Sequence, residues 1–295
     1  MKDQTSVFAD SAWLYPALVL LGSVVVYPMF RTLALSLVHE SLATGFQVQF
    51  SGLANFRRLF GDSRFHSSLW TTGVFTTVSV AVEFLIGLLL ALSMKTLERW
   101  GNIVRVILLT PWTLPTAVIA VLWTWIFNDQ YGVLNELGAD IGLLRAPVAW
   151  LAQPHTAMFS IIVADVWKTT PFVFVILFAG LQNIPQDLYE AVEIDGGGAW
   201  PKFRHVTWPH LQPFVFVAVV FRVVQAFAIF DLVWVMTGGG PAGATESVSV
   251  YTYQVYMRYL DFGYGSALAI ATVAILALAG TLLYWLLVTT YEQNF

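Results

Sequence analysis

Charge is what this sequence has least of. Only 11% of its 295 residues are Asp, Glu, Lys or Arg, against about 25% in a soluble domain. With 58% of the residues hydrophobic, the chain cannot coat a globular surface with polar groups, so lipid is its solvent. Cysteine is absent, which excludes disulfides, thiolate metal sites and cysteine nucleophiles. The 14 basic residues are scattered and the net charge is −4, so the basic face of a nucleic-acid binder is missing. The lysines are Lys2, Lys95, Lys168 and Lys202, preceded by Met1, Met94, Trp167 and Pro201. A phosphate-binding P-loop needs Gly before its Lys, so the chain does not hydrolyse ATP by a Walker mechanism. HExxH does not occur, and His205 and His210 are five apart, off one helical face, which disfavours a zinc protease. Residues 238–243 match GxGxxG in form but follow an apolar helix pattern rather than a strand, so they read as a turn-rich loop. Low-complexity tracts, long linkers and internal repeats are also lacking, which counts against a secondary carrier built from inverted repeats.

What the sequence does have is long apolar runs. Residues 11–30, 106–128 and 262–291 carry no charge, and each reaches the roughly 20 residues that cross a bilayer as helix. Three further runs hold isolated charges: 67–94 with Glu83, 158–181 with Asp165 and Lys168, and 212–236 with Arg222 and Asp231. Six spans follow, all helical, because a helix satisfies its backbone in lipid without closing a barrel. The fold class is therefore all-α, a polytopic membrane protein, with residues 1–295 a single transmembrane domain. The first run is longer than a signal-peptide core and reads as a retained span. Trp13, Tyr27, Trp123, Trp125 and Tyr264 sit near span boundaries, as interfacial aromatics do. Pro111, Pro115 and Pro171 lie inside spans, where they either kink a helix that its neighbours repair or break one to shape a cavity. Orientation stays open. Lys2, Lys95, Arg99, Arg105, Lys202 and Arg204 face Arg31, Arg57, Arg58, Arg64, Arg145 and Arg258 across the bilayer, and equal numbers give the positive-inside rule no preference.

The polar stretch 182–212 is the most informative. Pro185 suits a first helical turn, Asp187 favours the positive end of the helix dipole, and Leu188, Ala191 and Val192 give one apolar face. Gly196–Gly198 stop that helix through a left-handed cap. Pro201 begins a second short helix and Pro209 ends it. The expectation is a helix–turn–helix outside the bilayer, with an acidic first arm and a basic second arm. It reads equally as a solvated surface loop or as a docking helix received in a partner's groove.

This stretch resembles the EAA loop of ABC importer permeases. Glu190-Ala191-Val192, then Gly196, then Val206-Thr207-Trp208-Pro209 keep that motif's spacing, with apolar departures at 192, 206 and 208. Asp195-Gly196 matches the Asp-Gly of sugar permeases. Ser51-Gly52-Leu53-Ala54-Asn55-Phe56, Tyr131-Gly132-Val133-Leu134-Asn135, Trp167-Lys168-Thr169-Thr170-Pro171-Phe172, Thr237-Gly238-Gly239-Gly240-Pro241 and Ala244-Thr245-Glu246 are similar to further motifs of the maltose-type carbohydrate permeases. The resemblance implies a type I ABC importer permease architecture in a bacterial or archaeal plasma membrane, with residues 182–212 and both termini cytoplasmic. It implies a second permease as heterodimer partner, an ABC ATPase dimer and an extracytoplasmic sugar-binding protein. The chain itself would hold no cofactor, ATP and Mg belonging to the ATPase. Glu190, Ala191, Asp195, Gly196, Phe203 and Pro209 would couple to that ATPase.

Ionisable groups inside the bilayer default to a functional reading. Asp165 and Lys168 are i, i+3 neighbours able to pair on one helical face. Arg222 and Gln225 share a face that Ala226 and Ile229 continue, and Glu83 is available to Arg222 or Lys168. By the resemblance, a sugar would be held by Asp165, Trp167, Lys168, Thr169, Phe172, Arg222 and Gln225, with Trp167 or Phe172 stacking on a pyranose. Lys168, Thr169, Arg222 and Gln225 depart from the maltose pattern, so a phosphorylated or acidic sugar, or glycerol 3-phosphate, stays open as cargo. Polyamines are disfavoured by the two cations. The reading from another class is a self-sufficient channel or ion-coupled carrier that uses Asp165, Lys168 and Glu83 as a relay; a membrane-embedded enzyme is disfavoured by the missing motifs.

Overall fold

The computed structural model describes residues 14–94 and 101–292; Lys2, Trp13, Lys95, Arg99 and the start of the first expected span lie outside them. The chain divides into two compact units. One takes the described residues up to Ser63 together with Thr252–Ala274. The other takes Arg64–Tyr251 and the described residues from Ile275 onward.

The first unit opens with α1 (Tyr15–Ser36), whose side chains are exposed almost throughout, as an apolar helix solvated by lipid requires. The chain then folds through β1 (Val38–His39) and β2 (Gln49–Phe50), an antiparallel pair with Val38 opposite Phe50. This two-residue ladder is the one sheet among the described residues of an otherwise helical chain. α2 (Ala54–Gly61) follows. The buried Asn55 amide donates to the carbonyls of Ser36 at 3.0 Å and Val38 at 2.8 Å, which fixes α2 against the end of α1. The Leu42 and Gly263 amides donate to the Leu260 and Glu40 carbonyls, bringing the same segment to the start of the last helix, Phe262–Glu292.

The second unit is built on three long apolar helices. α3 (Ser63–Met94) and α7 (Pro154–Gln182) match the expected second and fourth spans, extended by a turn or so. Between them, α4 (Gly101–Thr113) and α5 (Thr116–Ile126) replace the single straight span expected over 106–128 and bend by 96°. The break falls at Pro115, whose ψ of 137° caps α5. Proline disfavours the helical region for the residue before it, and Leu114 is that residue. Pro111 and Pro171 stay inside their helices. Counted as one span, the bent pair brings the total to six. α6 (Val133–Asp140) is a short helix, whose Asn135 gathers Val148 and the Trp150 indole by hydrogen bonds of 3.1 Å and 2.9 Å.

After α8 (Gln186–Ile194) comes α9, which runs unbroken from Ala199 to Phe227. This corrects two expectations. Pro209 does not end a separate short helix, because a π-turn over Phe203–Thr207 precedes it, with the Trp208 amide bonding the Phe203 carbonyl. The wider turn shifts the hydrogen-bond register where proline removes a donor and crowds the preceding turn, so the helix continues. The fifth span also stops at Phe227 rather than 236; Asp231 starts a separate helix, α10 (Asp231–Met236), and is exposed. α11 (Val248–Tyr253) follows a loop pinned by the Arg64–Glu246 ion pair, 2.7 Å and 2.8 Å.

Two apolar clusters make the core of this unit. One packs Phe75, Ile119, Phe127, Ile161 and Leu232; the other packs Ala91, Phe174, Leu177, Leu181 and Leu211. α3 and α7 approach closely at Gly87, where an added Cβ would lie 2.8 Å from Val173 Cγ1 and 3.2 Å from the Phe174 amide. Small residues let helices in lipid approach backbone to backbone. Gly87→Val is expected to lower the thermal midpoint of the purified protein in detergent, corresponding to about 1–3 kcal/mol of overpacking; an unchanged midpoint would refute the close approach.

Candidate functional site

α3, α7 and α9 each bring one ionisable side chain to a common buried point. Glu83, Asp165 and Arg222 are 0%, 7% and 2% exposed. Arg222 Nε donates to Glu83 Oε2 at 2.5 Å and its Nη2 to Glu83 Oε1 at 2.8 Å, a bidentate fork that only a planar guanidinium forms. The same Nη2 reaches Asp165 Oδ2 at 3.0 Å, and Nη1 donates to Gln225 Oε1 at 3.0 Å. Ser79 donates to Asp165 Oδ2 at 3.2 Å, and the Thr169 hydroxyl lies 2.8 Å from Glu83 Oε1 and 2.6 Å from the Asp165 carbonyl. The close approach at Gly87, one turn beyond Glu83, brings α3 near enough for Thr169 to reach that carboxylate.

Helical spacing explains who meets whom. Asp165, Thr169 and Phe172 recur at i, i+4, i+7 on α7, as do Ala218, Arg222 and Gln225 on α9, so each set forms one stripe. The seven residues expected to hold cargo are thus separated into three places. Asp165, Thr169 and Arg222 form the buried cluster. Lys168, Phe172 and Gln225 are partly or fully exposed, and Phe172 stacks on Phe221 with ring centroids 4.9 Å apart. Trp167 points elsewhere. It lines an apolar cavity of about 880 Å³ with Val82, Ile86, Leu108, Pro111 and Trp123, its ring edge-on to Trp123 at 5.8 Å. The bent pair α4–α5 supplies one wall of that cavity, so Pro115 breaks a helix and a cavity results.

The expected Asp165–Lys168 pair does not form. Asp165 turns to Arg222 and Ser79 instead, because the neighbouring helix offers a better-positioned donor than the i+3 lysine. The Lys168 side chain makes no hydrogen bond or ion pair among the described residues; Asp165, Arg222 and Asp231 act on it through space. Of the two partners open to Glu83, the one realised is Arg222. Ser79 and Phe221 were missed by the sequence reading, though each lies one turn from a residue it named, Glu83 and Gln225.

At the other end of α7 the chain makes its polar hairpin. Pro185 caps α8 and Asp187 sits in its first turn. Gly196 has φ +78°, its amide donates to the Glu193 carbonyl at 3.0 Å, and the Gly197 amide donates to the Val192 carbonyl at 2.8 Å. These bonds are the two of a Schellman cap. The arms are tied twice: the Tyr189 and Thr207 hydroxyls share a buried hydrogen bond of 3.0 Å, and Lys202 Nζ donates to Glu193 at 2.8 Å. That donated bond holds the Glu193 carboxyl below the usual carboxylate range. Phe203 stacks on Trp200 at 5.9 Å and lies tilted against Trp208 at 6.1 Å. Glu190, Ala191 and Asp195 are exposed, and Pro209 is half-buried inside α9. Glu190 forms no ion pair or side-chain hydrogen bond among the described residues.

Arg222→Ala is expected to destabilise the protein by about 3–5 kcal/mol, because it strands two buried carboxylates. A Glu83→Gln/Arg222→Met double variant is expected to lose less than the sum of its single changes, read by denaturation in detergent micelles. Strict additivity would show that the two residues do not form one unit.

Residues 83–289 match the family described as binding-protein-dependent transport system inner membrane component. The chain is 39% identical over 269 residues, 91% of its length and 90% of the relative's, to the trehalose/maltose transport system permease protein of Thermococcus litoralis. It is 36% identical over 95% of its length, and 90% of the relative's, to the sulfoquinovosyl glycerol transport system permease protein of Agrobacterium fabrum. Its fold superposes on a chain from the crystal structure of a bacterial ABC transporter involved in the import of the acidic polysaccharide alginate, with a TM-score of 0.84 over 97% of both chains at 21% identity. The family describes membrane components of transporters rather than enzymes, and the six-span helical permease fold is the expected one. The chain belongs to the binding-protein-dependent transport system inner membrane components.

Proposed function

We propose that this chain is one membrane subunit of an ATP-driven importer of a neutral sugar, acting as a single permease domain over residues 1–295. The observation that carries the reading is α9. One continuous helix of 29 residues joins the hairpin to Arg222, and Arg222 is tied to α3 and α7. From Ala199 to Arg222 is about 35 Å at 1.5 Å per residue. A push on α8 travels up that rod to the ion cluster and turns three spans together.

In this reading the hairpin lies in the cytoplasm, with both termini, and docks on an ATPase dimer that binds ATP and Mg. Glu190, exposed and uncommitted, is the charged contact, with Ala191 and Asp195 beside it. Gly196 sets the angle of the hairpin, Phe203 stiffens its second arm, and Pro209 marks the register shift into the span. A second permease completes the pathway, and an extracytoplasmic binding protein delivers the cargo. The names of the relatives, trehalose/maltose and sulfoquinovosyl glycerol, support a sugar.

The charges favour a neutral one. Arg222 is shared by Glu83 and Asp165, and Lys168 feels Asp165 and Asp231. Three carboxylates against two cations leave no spare positive charge for a phosphate or an acid. Lys168, Gln225 and the Phe172–Phe221 slab would then meet the cargo, offering donors to hydroxyls and a flat face to a sugar ring. Asp165, Thr169 and Arg222 hold that surface in place from behind. Trp167 is set aside, since its cavity has almost no polar lining to satisfy hydroxyls.

Gly196→Pro is expected to leave the amount of protein in the membrane unchanged and to abolish uptake, since proline cannot take φ +78° and lacks the N–H given to Glu193. Normal uptake by this variant would refute the docking role. In the complex purified with its partner subunits and binding protein, a neutral disaccharide is expected to stimulate ATP hydrolysis and glycerol 3-phosphate is not. Stimulation by the phosphate alone would overturn the charge argument, and concentrative uptake by the chain alone in vesicles would overturn the importer reading.

A further inference from the structure

α2 (Ala54–Gly61) has two opposite faces. Asn55, Leu59 and Asp62 point inward. Asn55 bonds the Ser36 and Val38 carbonyls, and the Tyr264 hydroxyl donates to Asp62. Beside them, the Arg58 guanidinium pairs with Asp261 at 2.8 Å and covers the Tyr264 ring at 3.8 Å. Ser36 is the last residue of α1, and Tyr264 stands in the first turn of the last helix. α2 is therefore anchored level with the ends of two membrane spans of its own unit. Its other face carries Leu53, Arg57 and Phe60 at i, i+4, i+7. Leu53 and Phe60 are 69% and 83% exposed, and Phe50 beside them is 82% exposed. Arg57 is exposed, and its guanidinium has no hydrogen bond or ion pair among the described residues.

A face of large apolar side chains around a free guanidinium, at the height where spans leave the hydrocarbon, has the chemistry of an interfacial helix. Water would solvate Arg57 but not Phe50, Leu53 and Phe60; hydrocarbon would do the reverse; the headgroup boundary does both. We propose that α2 lies in the bilayer interface, with Phe50, Leu53 and Phe60 sunk to the acyl boundary and Arg57 bound to the phosphate of an anionic phospholipid. This lipid site locks the outer segment to the first and last spans, and it stands whatever cargo the protein carries.

The chain has no cysteine, so single-cysteine variants label at one position. Bimane is attached at Leu53→Cys, Phe60→Cys or Gln47→Cys in the full chain with its partner subunits, reconstituted in phosphatidylcholine vesicles with and without phosphatidylglycerol. Lipids brominated near the headgroup end of the acyl chain are expected to quench the label at 53 and 60 but not at 47, which is an exposed neighbour on the same segment. Phosphatidylglycerol is expected to deepen the quenching at 60, and Arg57→Gln is expected to abolish that increment. Quenching no greater at 53 and 60 than at 47 overturns the proposal. So does relief of quenching on adding the extracytoplasmic binding protein, which would assign the face to a protein. An increment that survives in Arg57→Gln, or that inorganic phosphate reproduces, overturns the lipid phosphate site.

Discussion

A single guanidinium between two buried carboxylates governs the second unit. Taking three charges out of water costs several kcal/mol per ion, and their attraction repays it only with near-ideal geometry and satisfied lone pairs. Arg222 meets that condition by spending its donors on Glu83, Asp165 and Gln225, while Ser79 and Thr169 complete the carboxylates. The arrangement tolerates little movement of α3, α7 or α9 against one another. Hydrophobic contact alone would not impose this, because lipid tails solvate a span as well as another span does. The cluster therefore supplies register where the hydrophobic effect is silent, and Gly87 supplies the close approach that register needs.

On the proposed reading, that fixed point gives the hairpin its mechanical meaning. α7 and α9 meet at the cluster and are joined again at the polar end by α8 and its cap. Asp165 to Gln182 spans about 26 Å and Ala199 to Arg222 about 35 Å of helix, so the two rods and the hairpin close a frame. The Tyr189–Thr207 and Glu193–Lys202 contacts stop the frame from opening at its base. The Glu193 carboxyl is held below its usual range, so this tie is complete above the ordinary carboxylate range and fades as pH falls through the lowered value. A frame closed at both ends moves as a body, which is what the proposed coupling to an external ATPase requires.

Much of this was legible in residue order. Charged residues bound α3 and the last helix closely, because charge leaves lipid abruptly. Pro185, Gly196 and the acidic first turn specified α8 and its cap through local chemistry alone. The bend at Pro115 was harder. Proline's effect depends on whether surrounding helices repair the lost bond, and the same residue type passes without a break at 111 and 171. Pro209 was misread for the same reason, since nothing in the letters marks a π-turn. The Asp165–Lys168 pairing failed because spacing along one helix says nothing about a better donor on the next. Trp167 is a different case. It lies some 200° around the helix from Asp165, so periodicity alone would have separated it from Asp165, Thr169 and Phe172.

The polar residues of the second unit divide by what lipid permits. A charge with no partner within the spans has to reach water or a polar ligand. Glu83, Asp165 and Arg222 satisfy one another and need neither. Lys168 does not, and on α7 it sits directly beside the closed cluster, with the Phe172–Phe221 stack one turn along. The apolar cavity at Trp167 asks nothing of water. On the proposed reading, the surface that meets cargo is therefore the place beside the cluster where the Lys168 ammonium makes no hydrogen bond or ion pair among the described residues, its charge balanced only at a distance by Asp165 and Asp231. Converting Lys168 to Met would remove the charged group there that demands a polar occupant, while leaving the cluster behind it intact.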